Sequence, residues 1–507
     1  MLGLIIPPDL ALEAVTKDSD NSEDTREEQI NFQAGMGNNY ERLEFLGDSF
    51  LKMATTIALF SQCPDKNEFA YHVERMLLIC NKNLFNTAVD KGLQEYVRSK
   101  SFSRRTWYPP GLKLQKGKAP QEVAGHSLSD KSIADVCEAL IGAAYLSCSS
   151  VEADDDFTKQ PDFDMAIKAV SAVVRNKNHK MQGWEDYYAV YKKPGWQVAS
   201  PTATMREGAR LVEDTLRYKF KWPALLRSAF KHPSYPYEKV PDYQCLEFLG
   251  DALLDMVCVD FLFKKFPHAD PQWLTEHKMA MVSNQFLGSL CVKLGLHRHL
   301  LSVHSELIKS IEAYVFQLQE AEAVSREDKG KTPMERSNCS IWMNVSSPPK
   351  CLADMVEAYI GAVFVDSEYD YNTVRRFFEE NIRPYFEDMS LYDSFANRHP
   401  ITVLSTKLAK DFSCNEWRVL VKEGVPDPEV AGAACFTQTE VAAGVLIHGK
   451  VFAVARAASG RYAKIAVAKD ALAKLEGMSA GDFRERIGCE CGKDGNVKPP
   501  EEHGTAI

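Results

Sequence analysis

The chain has 507 residues, too many for one ordinary core, and its 45% apolar and 26% charged content is that of a globular protein. A formal charge of −10 excludes a uniformly basic nucleic-acid coat and leaves only local patches for that purpose. Thirteen scattered cysteines, an odd number, point to reduced intracellular thiols rather than a disulfide framework.

The opening stretch MLGLIIPPDL has no basic flank and only a short apolar run, so no secretory signal is expected. No charge-free apolar stretch reaches membrane-spanning length. A soluble, intracellular protein without a membrane partner is expected; whether it is cytoplasmic or nuclear is not legible.

LEFLGD, at Leu43–Asp48, lies in the first long helical pattern. Leu43, Leu46, Phe50 and Leu51 recur at i, i+3, i+7 and i+8 as one apolar stripe. LICNKNL (Leu78–Leu84) follows, then a basic, acid-free insert over Arg98–Lys118. SIADVCEALIGAAYL (Ser132–Leu146) predicts a second helix, with Ile133, Val136, Leu140 and Ala143 on one face. Acidic VEADDD (Val151–Asp156) and PGWQVASPTATMREG (Pro194–Gly208) then break the helical pattern.

The series then starts again. LEFLGD recurs at Leu246–Asp251, 203 positions after its first appearance. MVSNQFL (Met281–Leu287) answers LICNKNL, and a polar stretch at Glu320–Pro349 precedes CLADMVEAYIGAVFV (Cys351–Val365). A period near 200 is too long for a solenoid and points to duplicated whole domains, 1–180 and 209–388, joined by a linker at 181–208.

From about His399 the texture changes. PITVLSTKLAKDF (Pro400–Phe412) predicts a helix, and NEWRVLVKEG (Asn415–Gly424), ACFTQTEVAAG (Ala434–Gly444) and HGKVFAVARAAS (His448–Ser459) predict strands. GRYAKIAVAKDALAKLEG (Gly460–Gly477) predicts a closing helix. The expected fold class is mainly α: two all-helical domains in tandem, a small α-β-β-β-α domain over 398–478, and a tail at 479–507.

Glu44 and Asp48 are spaced i, i+4, and Asp135 and Glu138 i, i+3, so each pair projects from one helix face. Glu247 with Asp251, and Asp354 with Glu357, repeat the arrangement. If the two helices of a repeat face each other, four carboxylates converge and need protons or a cation. All-oxygen ligands favour Mg²⁺ or Mn²⁺ over zinc, and hard cations in such a cage suit in-line attack on a phosphodiester. The bland alternative is that these acids are solvated on helix faces. Three features weigh against it. Gly47 and Gly250 interrupt helices, at about 1 kcal/mol each relative to Ala, which suggests close approach by something. The acids flank the apolar stripe, and all four positions are filled in both copies.

NYERLEFLGDSFL with KSIADVCEALIGAAYL, and YQCLEFLGDALLD with PKCLADMVEAYIGAVFVDS, resemble the signature blocks of ribonuclease III. LLRSAFKHPSY (Leu225–Tyr235) is similar to that family's entry motif. Two such domains followed by a double-stranded-RNA-binding module resemble the carboxy-terminal half of a fungal Dicer-like protein. The resemblance implies that the two nuclease domains pair within the chain, each cutting one strand of duplex RNA to leave a 3′ overhang, a 5′-phosphate and a 3′-hydroxyl. It implies Mg²⁺ or Mn²⁺ ligands at Glu44, Asp48, Asp135 and Glu138, and at Glu247, Asp251, Asp354 and Glu357. Lys131 and Lys350, four residues before Asp135 and Asp354, stand where the family often has a lysine near the scissile phosphate; the competing reading is a solvated lysine. Argonaute-type silencing proteins would be partners. Such proteins usually carry helicase and end-binding domains upstream, and these 507 residues hold neither motif.

Departures are also visible. Lys17 and Asp20 replace His232 and Tyr235, which is expected to touch packing more than the carboxylates. Cys245 stands where the first copy has Arg42 and the family usually has arginine, so an RNA contact or buried ion pair is expected to be lost. In the last domain, the resemblance sets Arg461 and Lys464 at the helix start as phosphate contacts, aided by the helix dipole. Ten Lys and Arg against eight Asp and Glu over 400–478 suit a supporting role in RNA binding; a protein-binding domain is the alternative.

GCECGKDG near the C-terminus offers Cys489 and Cys491, too close for an ordinary disulfide and well spaced to hold one soft metal. Cys414 and His448 are the candidate remaining ligands of a structural Zn²⁺, a pattern similar to one seen in fungal Dicer proteins. Cys435, mid-strand, is a rival. Three functions stay open: a Dicer-like endoribonuclease acting in RNA silencing, a stand-alone ribonuclease III maturing structured RNAs, and a homologue that holds duplex RNA without cutting it. Eight intact carboxylates weigh against the last.

Overall fold

In the computed structural model the described residues are 2–17, 38–98, 128–148, 162–327, 341–393, 395, 400–425, 440–457, 460–489 and 491. Their contacts divide into two units, Met1–Leu391 and Tyr392–Ile507. The basic insert beyond Arg98, the VEADDD stretch, Asp20 and Cys435 lie outside the described residues.

The first unit contains both copies of the repeat. The first copy runs α1 (Pro8–Ala14), α2 (Glu41–Gln62), α3 (Glu68–Ile79), α4 (Asn81–Asp90), α5 (Asp130–Cys148) and α6 (Asp164–Val174). Two short helices, α7 (Glu185–Val190) and α8 (Gly195–Val198), and the longer α9 (Ala203–Leu216) follow. The second copy is α10 (Pro223–Ala229), α11 (Gln244–Lys265), α12 (Pro271–Met281), α13 (Asn284–Lys293), α14 (Ser305–Glu327), α15 (Lys350–Asp366) and α16 (Tyr371–Asn381). The duplication reaches small details. Pro8 and Pro223 open α1 and α10, where a missing N–H costs nothing. Gly92 and Gly295 adopt φ of 68° and 71° just after α4 and α13. A bridge between Thr16 and Arg98 recurs between Lys231 and Leu301.

The predicted stripe of α2 is buried, and so are Ser49, Thr55, Thr56 and Leu59 on its other sides. The reason is that α2 packs on α5 within its own copy and on α11 of the other. The two central helices meet through repeat-related contacts. Arg42 donates to the carbonyl of Ala269 and stacks 4.7 Å over the ring of Phe263. Cys245, its counterpart, sets its Sγ 3.1 Å from the carbonyl of Lys66, which is the counterpart of Ala269. Arg75 lies 4.3 Å over Phe248, and Lys278 lies 5.7 Å over Phe45 in the same relation. Position 42/245 thus serves domain pairing. Cys245 keeps the counterpart carbonyl as its partner, with a weaker donor and without the positive charge that Arg42 sets near Glu13 and Asp270.

Two other expectations change. The stretch 181–208 is no open connector, because Met181, Trp184, Tyr187 and Tyr191 are buried and Trp184 donates to the Tyr369 carbonyl at 2.9 Å. Its Pro and Gly residues punctuate short helices rather than a loop. The polar stretch from Glu320 begins as the last turns of α14, and Trp342 beyond it is 1% exposed against Phe286. No helix among the described residues is long and apolar enough to cross a membrane.

The second unit is α17 (Pro400–Phe412), β1 (Trp417–Val425), β2 (Glu440–Ile447), β3 (Lys450–Ala457), α18 (Gly460–Leu475) and α19 (Ala480–Ile487). The strands form one antiparallel sheet in the order β1-β2-β3. Its core gathers Leu404, Leu408, Val445, Ile447, Val467 and Ala471. The β2–β3 turn is His448–Gly449, with φ of 48° and 73°, as a tight hairpin requires of both central residues. His448 therefore occupies the turn and does not open the third strand, as its place in HGKVFAVARAAS had suggested.

Candidate metal centres

In each copy two glycines let the acid-bearing helices cross in backbone contact. A Cβ on Gly47 would stand 1.8 Å from the carbonyl oxygen of Glu138, and one on Gly142 would stand 2.2 Å from that of Leu43. The second copy repeats this with Gly250 against Glu357 at 1.8 Å and Gly361 against Leu246 at 2.3 Å. The close approach expected from Gly47 and Gly250 is thus to the opposite helix backbone. It brings side chains from the two helices together.

Carboxylate oxygens of Glu44, Asp135 and Glu138 lie within 4.8 Å of one another, and those of Glu247, Asp354 and Glu357 do the same. Asp48 and Asp251 stand outside these tightest groups. Asp251 is 2.9 Å from Lys52 of the first copy. Asp48 is open to solvent but flanked by both copies; desolvation there lifts its carboxyl, and Lys278 pulls it back.

The groups are crowded with charge. Burial, then Asp135, raises Glu44 to about 7, and burial, then Asp48, raises Glu138 to about 9. Glu247 is raised to about 7 by burial and Asp354, and Glu357 is pushed well above the carboxylate range by burial and Asp251. Asp135 and Asp354 are raised as well, chiefly by burial. A site that holds protons this firmly suits a divalent cation in their place. The donor set is all oxygen, which fits Mg²⁺ or Mn²⁺.

The predicted lysines are at the groups but differ. Lys350 Nζ lies 2.7 Å from Asp354 and 3.1 Å from Glu247, bridging both helices. Lys131 reaches Asp135 alone, at 3.4 Å, and is largely exposed. The change at position 17 is not confined to packing, since Lys17 is among the charges that draw Asp135 down.

Sequence reasoning overlooked two tyrosines. Tyr40 donates its hydroxyl to Asp135 at 3.4 Å, and Tyr243, its counterpart, donates to Asp354 at 3.1 Å. The signal was present, since a tyrosine stands three residues before each LEFLGD.

The second unit holds a different group. Cys414, Cys489 and Cys491 set their sulfurs 3.5, 3.1 and 3.5 Å from Nε2 of His448. The other ring nitrogen, Nδ1, is 2.9 Å from Glu416, which fixes the ring with Nε2 aimed at the thiols. Two soft features carry the fit: three thiols and one imidazole, compact enough for a tetrahedral ion. The tail that delivers Cys489 and Cys491 is α19, started by a Ser479–Asp482 capping box and stopped by Gly488 at φ 73°. Phe483 on α19 packs against Phe412 with ring centroids 4.5 Å apart. That helix was not anticipated, although S-x-x-D followed by Gly is its sequence signature.

Lys464 is exposed near the start of α18; the side chain of Arg461 lies outside the described residues.

Comparison with known proteins agrees with this architecture. Residues 41–149 and 244–368 match the Ribonuclease III domain, and residues 392–477 match a dsRNA binding domain. Dicer-like protein 1 of Neurospora crassa is 54% identical over 536 residues, covering 100% of this chain and 33% of that protein. Dicer-like protein 1 of Chaetomium globosum is 55% identical over 510 residues, covering 97% of this chain and 31% of that protein. The chain therefore spans about a third of the length of these curated relatives. The chain thus carries two ribonuclease III domains, one in each copy of its repeat, followed by a dsRNA binding domain.

Proposed function

We propose that this chain is the nuclease portion of a Dicer-like endoribonuclease that cuts both strands of double-stranded RNA into short duplexes with 3′ overhangs, in RNA silencing. The observation that carries the reading is the duplicated carboxylate group, built at repeat-related positions on paired helices. Each site would act on one strand. The eight acids Glu44, Asp48, Asp135, Glu138, Glu247, Asp251, Asp354 and Glu357 would hold Mg²⁺ or Mn²⁺. The cations would supply activation of water and of the scissile phosphate, giving a 5′-phosphate and a 3′-hydroxyl.

The chain's own groups do the rest. Tyr40 and Tyr243 orient Asp135 and Asp354 through hydroxyl hydrogen bonds. Lys350 and Lys131 offer positive charge beside the acids, where negative charge grows on a phosphate in the transition state. Arg461 and Lys464 would contact RNA phosphates from the second unit. There, Cys414, His448, Cys489 and Cys491 would hold a structural Zn²⁺ that ties α19 to the sheet. Argonaute-type proteins are the partners such products would feed.

The test is incubation of the full chain with a long end-labelled RNA duplex and Mg²⁺. Discrete short duplexes with 3′ overhangs are expected. Cuts restricted to structured single RNAs would favour a stand-alone ribonuclease III, and a mobility shift without products would favour a non-cleaving binder.

A further inference from the structure

At one point in the pairing of α2 with α11 the repeat is broken. Residue 52 is lysine in the first copy, and its counterpart 255 is aspartate in the second. Lys52 Nζ lies 2.9 Å from Asp251 Oδ2 and 3.8 Å from Asp255 Oδ2. An ammonium of the first domain is thus seated on an aspartate beside the second domain's carboxylate group. The reciprocal contact is absent, because the counterpart of Lys52 brings a further acid. Asp255 is neutralised by Lys278 at 3.2 Å and accepts from Ser49 at 3.3 Å. Lys278, the foremost charge acting on Asp48, makes its close ion pair with Asp255 instead.

A carboxylate that already holds an ammonium is a poorer ligand for a second cation. The incoming ion must displace or share the first, and two like charges a few ångströms apart repel, though the 37% exposed Asp251 side chain leaves solvent to screen part of it. Asp48 forms no ion pair within 4 Å among the described residues, although Lys278, Lys52 and Arg75 all act on it at longer range.

We propose that Lys52 is a resident counter-ion of the second nuclease site, so that the two sites fill unequally with divalent cation. The first takes Mg²⁺ or Mn²⁺ at the lower concentration; the second fills only when Asp251 gives up or shares Lys52. This rests on the reading of both carboxylate groups as divalent-cation sites. Lys52 is a positioning residue and touches no substrate. Under limiting metal the protein nicks one strand before it cuts both.

The experiment is a Mn²⁺ titration of the metal-stripped full chain, with free Mn²⁺ followed by electron paramagnetic resonance. Wild-type protein should show two classes of site, and Glu357→Gln should remove the weaker. Lys52→Met should tighten the weaker class by about tenfold, the scale on which groups contacting metal ligands act. Lys52→Arg, which keeps the charge and guards against a folding artefact, should preserve the split. A single class in wild type, or a weaker class that Lys52→Met leaves unchanged or weakens further, overturns the proposal. Failure to bind Mn²⁺ at all would instead overturn the cation-site reading beneath it.

Discussion

Gly47 lies directly against the backbone of Glu138, with room for no side chain: a methyl group there would sit 1.8 Å from the Glu138 carbonyl oxygen. With Gly142 against Leu43, this contact sets how near Glu44 and Glu138 come, because the two fix the crossing of α2 and α5. The glycine of LEFLGD is a packing requirement of the acids around it. Gly250 and Glu357 stand in the same relation.

Gly47→Ala should therefore force the helices apart. The obstacle is backbone, which cannot rotate away, so a loss of about 1–3 kcal/mol is expected, as for overpacked cores. Thermal unfolding should show a lower melting temperature, and cutting of one RNA strand should fall while the other continues. An unchanged melting temperature would mean that α2 and α5 do not touch at this point.

The crowded acids also predict how the metal-free protein responds to pH. Glu44 and Glu247 are raised to about 7 and Glu138 to about 9, chiefly by burial. A carboxyl raised above its unfolded value contributes stability at low pH and loses it as pH rises through the folded value. Without metal, stability should fall between the ordinary glutamate value of 4.5 and about 9. Glu138→Gln with Glu357→Gln should flatten that fall. Added Mg²⁺ should raise the melting temperature more at the alkaline end of the window than at the acid end. A flat metal-free profile in wild type would contradict the assignment of these groups as tightly crowded.

Metal analysis of the purified protein should find about one zinc per chain, as expected of a closed four-ligand site. Cys489→Ser with Cys491→Ser should lose the zinc and lower the melting temperature of the second unit, since ligand binding and folding are coupled there. Zinc-free protein with an unchanged melting temperature would remove this ion from the account and leave the nuclease sites untouched.

Much of this was legible because the repeat marks its own functional parts. Eight acids and two lysines sit in short repeated motifs whose spacing follows helix geometry, and Cys489 and Cys491 form one C-x-C pair. What escaped was long-range. Nothing local tells that Arg42 reaches Ala269, that Lys52 reaches Asp251, or that 181–208 buries Trp184 and Tyr187. Such contacts depend on how the two copies meet, and only the fold states that. The shift of His448 into the turn had a local cause, a His-Gly pair taking positive φ, which strand propensity does not read.

The central claim is that the chain has two independent sites, each owning one strand. Its most direct test is strand-resolved cleavage of a duplex labelled separately at each 5′ end, in Mg²⁺, by two double variants. Asp48→Ala with Glu138→Ala should abolish cutting of one strand and leave nicked duplex. Asp251→Ala with Glu357→Ala should leave the complementary nick on the opposite strand. Loss of all cleavage from either variant, or nicks by both on the same strand, would contradict the account.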